Sequence, residues 1–311
     1  MREIVWVYLC GAVLTALLFA LRLKGSGLRA WTALLALPLS AVLGALLAKL
    51  CYALLMLDVL TVGLDAFTNW NFDRLSFFGG GLGVCLGVAA ATKICRVRPA
   101  EALDAFAPAG AVMVCAARAG EIFLGTLGVG SLLPEDSPFC RFPFAVMMEN
   151  SWEEQEWWWA VFLLEAAVAL IIALIYLFRR PGPRAGETFR KTLFLLAAAQ
   201  IICESLRARC MKWGFVRVEQ VLCAVLILGL VCLSCWRLRR TIRKAACILC
   251  PVTILVGFGI IGFMEYALDK ISALPNPVCY GIMVLCLAGM TALAWRVFRE
   301  ERRLPEAQCR S

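Results

Sequence analysis

The chain has no histidine and few charged residues for its length. None of its 311 residues is histidine, 17% are Asp, Glu, Lys or Arg, and 62% are hydrophobic. The absence of histidine removes the side chain that most often acts as a general base near neutral pH and most often ligates metals. Soluble domains are about half apolar and about a quarter charged. The composition therefore excludes an ordinary soluble domain and indicates a membrane protein.

Apolar runs long enough to cross a bilayer recur along the chain. A hydrocarbon core of about 30 Å requires about 20 apolar residues in a helix. The runs lie at about 4–23, 30–57, 76–94, 102–117, 157–178, 189–206, 216–236, 246–266 and 278–298. They predict an all-α polytopic integral membrane protein with about nine transmembrane helices. Arg22 and Lys24 follow the first run in place of a small-residue cleavage site, which predicts an uncleaved span.

Most of the 31 Lys and Arg residues fall in alternate connections between these runs, those after the first, third, fifth, seventh and ninth. The intervening connections are acidic or poor in cations. Because Lys and Arg accumulate on the cytoplasmic side of membrane spans, the N-terminus is predicted to be outside and the C-terminus inside. The net charge of +9 is then explained by the Lys and Arg residues of the cytoplasmic connections, and no nucleic-acid partner is predicted.

The 16 cysteines do not indicate a disulfide framework, because most of them lie inside apolar runs, where a free thiol behaves as a small hydrophobe. Two Cys-x-x-Cys pairs, Cys232 with Cys235 and Cys247 with Cys250, have the spacing of a zinc ribbon. Both pairs lie at the ends of apolar helices and lack polar neighbours, which favours lipid-facing cysteines over a metal site. We predict no metal and no cofactor.

One connection breaks the charge rule. The stretch CESLRARCMKWGFVR is predicted to face outward between the sixth and seventh spans, yet it holds four cations: Arg207, Arg209, Lys212 and Arg217. For Lys212 and Arg217 we favour snorkelling of the long side chains to lipid headgroups. The outer region 126–160 is rich in tryptophan, with Trp152, Trp157, Trp158 and Trp159. Interfacial anchoring is favoured there over an arm that guides a substrate.

Arg118 and Arg207 are the exceptions to the snorkelling interpretation. Each lies where an apolar helix is still predicted to run, and each has a carboxylate three residues away, Glu121 and Glu204 respectively, on the same helix face. Ionisable residues at such depth usually mark a functional site. Two guanidinium groups at outer-leaflet depth suit an anionic phosphodiester, because each presents a planar fork to phosphate oxygens.

Four stretches carry a family resemblance, in order: LSFFGGGLG (75–83), ARAGEIFLG (117–125), ICESLR (202–207) and VEQVLC (218–223). They are similar to the Ser-Phe-His-Gly-Gly-Leu, Gly-Arg-x-Gly-Asn-Phe-x-Asn-Gly, Val-Glu-Phe-Phe-Arg and Gly-Gln-x-Leu-Ser segments of prolipoprotein diacylglyceryl transferases. The resemblance covers roughly residues 70 to 237. It implies a seven-helix membrane domain at 1–240. Two additional transmembrane helices and a basic cytoplasmic tail then follow at 241–311.

The resemblance also implies an activity. The family transfers a diacylglyceryl group from phosphatidylglycerol to the lipobox cysteine thiol of a preprolipoprotein, at the outer face of the bacterial cytoplasmic membrane. A thioether forms and glycerol-1-phosphate leaves. The implied partners are phosphatidylglycerol, the lipobox peptide and the bilayer.

The family's essential arginines correspond to Arg118 and Arg207, and Glu204 and Gln220 also match the family. The glycines of the matched stretches fit close approach of lipid or of a neighbouring helix, and both interpretations stay open. The candidate catalytic residues are Arg118, Arg207, Glu121 and Glu204. The candidate substrate-binding residues are Gly79, Gly80, Gly120, Gly125, Gln220 and Arg209.

The chain departs from the family pattern at its candidate bases. Phe78 replaces the histidine of the third-span motif, Glu121 and Leu124 replace the two asparagines, and Gln155 stands at the histidine position before the fifth span. Glu121 is predicted to be the replacement base, although a carboxylate beside arginine is a weak one. A non-catalytic relative that binds an anionic phospholipid headgroup is the alternative. A transporter is disfavoured, because the sequence has no internal repeat.

Overall fold

The computed structural model describes residues 2–56, 65–68, 70–149, 153–179, 182, 184–239, 244–270 and 274–303. The helices in these ranges are α1 (Arg2–Gly25), α2 (Thr32–Leu55), α3 (Asp65–Thr68), α4 (Phe77–Ile94), α5 (Pro99–Gly120), α6 (Val161–Phe178), α7 (Glu187–Leu206), α8 (Val218–Leu238), α9 (Lys244–Lys270) and α10 (Asn276–Arg303). Two 3-10 helices cover Phe72–Arg74 and Glu121–Leu127. The strands are β1 (Leu132–Leu133), β2 (Ala145–Glu149), β3 (Gln155–Trp159), β4 (Lys212–Trp213) and β5 (Val216–Arg217).

The predicted class, an all-helical polytopic membrane protein, is confirmed. Eight of the described helices are long and apolar enough to cross a membrane: α1, α2, α4, α5, α6, α8, α9 and α10. The predicted span at 189–206 does form a helix, α7. However, its first two turns carry Glu187, Arg190 and Lys191, and Glu204 lies near its end, so the apolar part is short. The sides on which the two termini lie stay a prediction.

The described chain divides into two compact units. The first comprises Met1–Leu196 and Leu206–Met211, and the second comprises Ala197–Ser205 and Lys212–Ser311. Helix α7 therefore contributes to both units. The division at residue 240 that the resemblance implies is a division by sequence likeness and stays a prediction.

In the first unit, α4 packs closely against α2 through small residues. Gly79, Gly83 and Gly87 recur every four residues and lie on one face of α4, so the α2 backbone can approach that face. A Cβ on Gly83 would lie 2.7 Å from the Cα of Gly44, and a Cβ on Gly87 would lie 2.5 Å from the Cα of Ser40. These glycines set the spacing between the two helices.

A buried carboxylate joins α5 to the start of α7 within the same unit. Asp104 accepts hydrogen bonds from the backbone amides of Gly186 at 2.7 Å and Phe189 at 2.8 Å. The first amides of a helix have no intrahelical partner, and the positive end of the helix dipole favours a carboxylate there. Asp104 thus fixes where α7 begins.

A three-stranded antiparallel sheet with the order β1-β3-β2 also belongs to the first unit. Strand β3 pairs with β2, with Trp158 opposite Val146 and Trp157 opposite Met147. Helix α6 begins two residues after β3 ends. The apolar run predicted to start a helix at 157 therefore begins as a strand. Trp157, Trp158 and Trp159 are half-buried in this strand, and Trp152 lies outside the described residues.

The second unit contains α8, α9 and α10 together with a β4-β5 hairpin. The hairpin pairs Lys212 with Arg217 and Trp213 with Val216. Its two-residue turn begins at Gly214, whose φ of 62° suits glycine. The outward connection predicted from the sequence is thus an ordered hairpin that leads directly into α8.

Gly83→Ala and Gly81→Ala form a matched pair that tests the α2–α4 packing. We expect Gly83→Ala to destabilise the protein by about 1–3 kcal/mol, because the added methyl meets the α2 backbone. Gly81→Ala adds its methyl to open space, and we expect it to be neutral or to stabilise by about 0.5–1 kcal/mol through helix propensity. Thermal unfolding in detergent measures both, and equal shifts in Tm would contradict the close packing.

Candidate functional site

The end of α5 places two of the predicted residues side by side. Arg118 lies in the last turn of α5, and Glu121 begins the following 3-10 helix. Residues three apart on a helix share a face, and Arg118 Nη1 donates to Glu121 Oε1 at 2.5 Å. Gly125, four residues later, interrupts the 3-10 segment with a φ of 61°. The local sequence is therefore sufficient to form this ion pair.

Arg207 reaches the same place from the far end of α7. The helix ends at Leu206, and the next segment is held by a 3.0 Å hydrogen bond from the Ala208 amide to the Val129 carbonyl. Arg207 Nη2 then donates to Glu121 Oε2 at 2.6 Å. Arg207 directly follows the last residue of the helix that carries Glu204, and the pairing of Arg207 with Glu204 stays a prediction. Arg207 forms ion pairs with carboxylates distant in the chain.

A second carboxylate, Glu165 on α6, completes the site. Arg207 binds it in two places, Nε to Oε1 at 2.7 Å and Nη2 to Oε2 at 2.8 Å. Arg118 Nε lies 2.5 Å from Glu165 Oε2. Each arginine therefore contacts both carboxylates. We call Arg118, Glu121, Glu165 and Arg207 the ionic quartet.

The ionic quartet is buried and electrically balanced. Its four residues are between 3% and 9% exposed. Removing charges from water is costly, and this cost is offset only when opposite charges meet in good geometry. Two cations and two anions leave no net charge on the quartet. An anionic ligand therefore has to compete with the two carboxylates for the guanidinium groups.

Aromatic side chains and glycines border the quartet. The ring of Phe77 lies 3.5 Å from Arg118 Cζ, in the stacked arrangement that arginine favours. The Tyr8 side chain from α1 lies within electrostatic range of both arginines and Glu121. A Cβ on Gly120 would meet Tyr8 Cε1 at 3.2 Å, and one on Gly128 would meet Glu121 Oε2 at 2.5 Å. Because neither residue has a side chain, the backbone at both positions can lie close to the side chains of the site.

Two members of this site were missed from the sequence. Glu165 is the lone carboxylate in the apolar run that forms α6, and an ionisable residue in such a run is itself a signal of function. Tyr8 carries no such signal, because tyrosine is ordinary near the end of a span. Among the described side chains, no set of three or more carboxylates or thiols is arranged to hold a metal ion.

Glu204 and Gln220 belong to the second unit, where each has polar partners. Gln220 Nε2 donates to the Ile201 carbonyl and to Glu265 Oε1, both at 2.8 Å. Gln200 Nε2 donates to Glu204 Oε2 at 3.0 Å. The catalytic role predicted for Glu204 and the substrate contact predicted for Gln220 stay predictions.

Arg217 also joins the cluster in the second unit. Its Nε lies 3.1 Å from Glu265 Oε2, and its Nη1 donates to the Glu204 carbonyl at 2.6 Å. Glu265 in addition accepts a hydrogen bond from the Ser205 hydroxyl. The snorkelling interpretation of Arg217 is therefore wrong, because a buried carboxylate on α9 holds the guanidinium. Lys212, in contrast, is exposed.

The remaining predicted residues lie in varied surroundings. Gly79 and Gly80 lie on α4 and face α2. A Cβ added to Gly80 would lie 3.6 Å from the Cβ of Ala48. A Cβ added to Gly125 would meet open space, and Arg209 is exposed. Helix packing accounts for Gly79. Substrate contact by these four residues stays a prediction.

Glu165→Gln tests how far the quartet stabilises the fold. The variant keeps the shape of the side chain but leaves two buried cations with one anion, so we expect a loss of about 3–5 kcal/mol in unfolding free energy. Glu101→Gln breaks the exposed Arg98–Glu101 pair, and we expect a loss below about 1 kcal/mol. Chemical denaturation in detergent measures both losses. Similar small losses in the two variants would show that the quartet contributes little.

A family model described as prolipoprotein diacylglyceryl transferase matches residues 5–236 of the 311-residue chain. No curated protein matches the chain. The family match contains all four members of the quartet and ends before α9 and α10, so Glu265 lies outside it.

Proposed function

The chain belongs to the prolipoprotein diacylglyceryl transferase family, and from this we propose that it transfers a diacylglyceryl group from phosphatidylglycerol to the lipobox cysteine of a preprolipoprotein. The family consists of transferases of lipoprotein biosynthesis, and the eight apolar helices make this member a multi-pass membrane protein. The proposed place of reaction is the outer face of a bacterial cytoplasmic membrane.

The convergence of Arg118 and Arg207 carries the proposal. The sequence predicted both as ligands of a phosphodiester, and the same two carboxylates hold them together. In a buried site, preorganised guanidinium groups stabilise negative charge that develops on a leaving phosphate far better than water-exposed groups do. Glycerol-1-phosphate is such a leaving group.

The reaction also needs an acceptor for the thiol proton. The sulfur attacks the diacylglycerol carbon bonded to the phosphate, a C–S bond forms, the C–O bond breaks, and the S–H proton must leave. A free cysteine thiol, with a pKa of about 8.5, is only about 3% ionised at pH 7. In the absence of histidine, we assign proton acceptance to Glu121. Two guanidinium contacts hold Glu121, whereas three hold Glu165.

Proton transfer to Glu121 also changes the charge of the quartet. A protonated Glu121 leaves two cations facing one anion, so the quartet gains one positive charge. The phosphodiester gains one negative charge as it becomes a phosphate monoester. The positive charge of the arginines thus becomes available at the step in which the leaving group needs it. Glu165 holds both arginines in place throughout.

A transfer assay with Glu121→Gln tests the proposal. Purified protein in detergent is incubated with phosphatidylglycerol and a lipobox peptide, and mass spectrometry quantifies the diacylglyceryl thioether. Glu121→Gln retains the shape and loses the proton acceptor, so we expect the rate to fall at least about 100-fold. Lys212→Ala, an exposed cation on the β4-β5 hairpin, should retain the wild-type rate.

Two outcomes would contradict the proposal. A wild-type rate in a folded Glu121→Gln variant would remove Glu121 from the mechanism. Absence of thioether in the wild type, with phosphatidylglycerol still bound and released in Arg207→Ala, would identify a lipid-binding relative without transferase activity. Size-exclusion chromatography and thermal unfolding establish that each variant is folded.

A further inference from the structure

A groove runs along one face of α10 in the second unit. Residues of α10 and one residue from the part of α7 in the same unit form its wall: Val284, Leu287, Ala288, Thr291, Ala292 and Ile202. The α10 residues recur at spacings of three and four, so they share one face of the helix. The groove has a volume of about 630 Å³, and ligand sites typically have about 300–1,000 Å³. This face of α10 has room for an elongated apolar group.

The wall of the groove is apolar over the length of an acyl chain. Thr291 is the one polar side chain among these six residues, and its hydroxyl donates to the Leu287 carbonyl of the same helix at 2.8 Å. Val284, Ala288 and Ala292 are exposed. With a rise of about 1.5 Å per residue, about 18 Å of helix separate Val284 from Arg296. One leaflet of the hydrocarbon core is about 15 Å thick. The groove therefore matches a single lipid chain in length.

One end of the groove is basic. Trp295, Arg296 and Arg299 line it there. Helix α10 begins at Asn276, and its first charged residue is Arg296. About 20 apolar residues cross a core of about 30 Å, so the helix leaves the hydrocarbon near Trp295. Tryptophan is the residue most typical of that boundary, and arginine extends from it to the headgroups.

The two groove arginines are exposed, and the acids nearest to them in sequence are paired with other arginines. Glu301 Oε1 lies 3.1 Å from Nη1 of an arginine on α8, and Glu300 Oε1 accepts from Arg303 Nη1 at 3.0 Å. Within the described part of the chain, no ion pair engages Arg296 or Arg299. Two guanidinium groups are therefore available at the polar end of an apolar groove.

We propose that this groove binds an anionic glycerophospholipid, with one acyl chain along α10 and the phosphate at Arg296 and Arg299. Guanidinium groups present a planar fork to phosphate oxygens. Basic pockets between helices at the cytoplasmic surface recognise anionic headgroups, and the predicted orientation places the end of α10 on that side. The proposal goes beyond the transfer reaction, because α10 lies outside the family match.

Substitution of the two arginines tests the headgroup end. The full chain in detergent is titrated with phosphatidylserine or phosphatidylcholine of identical acyl chains, and native mass spectrometry measures the affinity for each lipid. Phosphatidylserine is anionic and is not the proposed donor. We expect Arg296→Gln and Arg299→Gln each to weaken phosphatidylserine binding about fivefold and to leave phosphatidylcholine binding unchanged. Arg296→Lys keeps the charge and should stay within about twofold of the wild type.

Arg303→Gln is the matched control, because Arg303 is an exposed arginine at the same end of α10 and does not line the groove. It should bind phosphatidylserine as the wild type does. An equal loss in Arg303→Gln would show attraction to the basic helix end as a whole and would overturn the site. Wild-type affinity in a folded Arg296→Gln variant, or equal affinity of the wild type for the two lipids, would overturn it as well.

Filling the groove tests the acyl-chain end. Ala288→Trp leaves both arginines in place and puts an indole where the chain is proposed to lie, so we expect phosphatidylserine affinity to fall to the level of Arg296→Gln. Leu285→Trp adds the same bulk at an exposed position outside the groove and should bind normally. Wild-type affinity in folded Ala288→Trp would refute the proposed chain position. Displacement of the lipid by an equal concentration of inorganic phosphate would identify a site for a free anion and refute the lipid site. Thermal unfolding establishes that each variant is folded.

Discussion

The pairing of two buried arginines with two buried carboxylates is the interaction on which the first unit depends. The end of α5, the second turn of α6 and the residue after α7 each contribute a charge that would be prohibitively costly alone inside a membrane-spanning protein. Because every arginine contacts both carboxylates, these three segments have one mutually consistent arrangement. The constraint that fixes the fold here therefore also positions the groups proposed to carry out the chemistry.

Charge balance determines how the quartet can act in the proposed transfer. Its two cations and two anions cancel, so an anionic group that enters the site has to compete with the carboxylates for the guanidinium groups. In the proposed mechanism, protonation of Glu121 shifts this balance toward the leaving phosphate.

In the second unit, a residue outside the family match takes part in a buried polar cluster. Glu265 on α9 accepts from Gln220 and pairs with Arg217, both of which lie within the matched region. A buried carboxylate would be costly to leave without partners, and Glu265 has three polar partners. These hydrogen bonds and the ion pair therefore fix α9 to the start of α8 in addition to apolar packing. Helix α9 is thus built into this unit around a shared polar cluster.

The helical membrane class and the local pair Arg118–Glu121 could be predicted from the sequence alone. Apolar runs of this length must satisfy their backbone groups internally and therefore form helices, and residues three apart on a helix meet. Tertiary packing determines which distant groups Arg207 meets, because Glu121 and Glu165 reach it from other segments of the chain. No local spacing encodes an encounter between residues so distant in the sequence, so these contacts could not be predicted from the sequence.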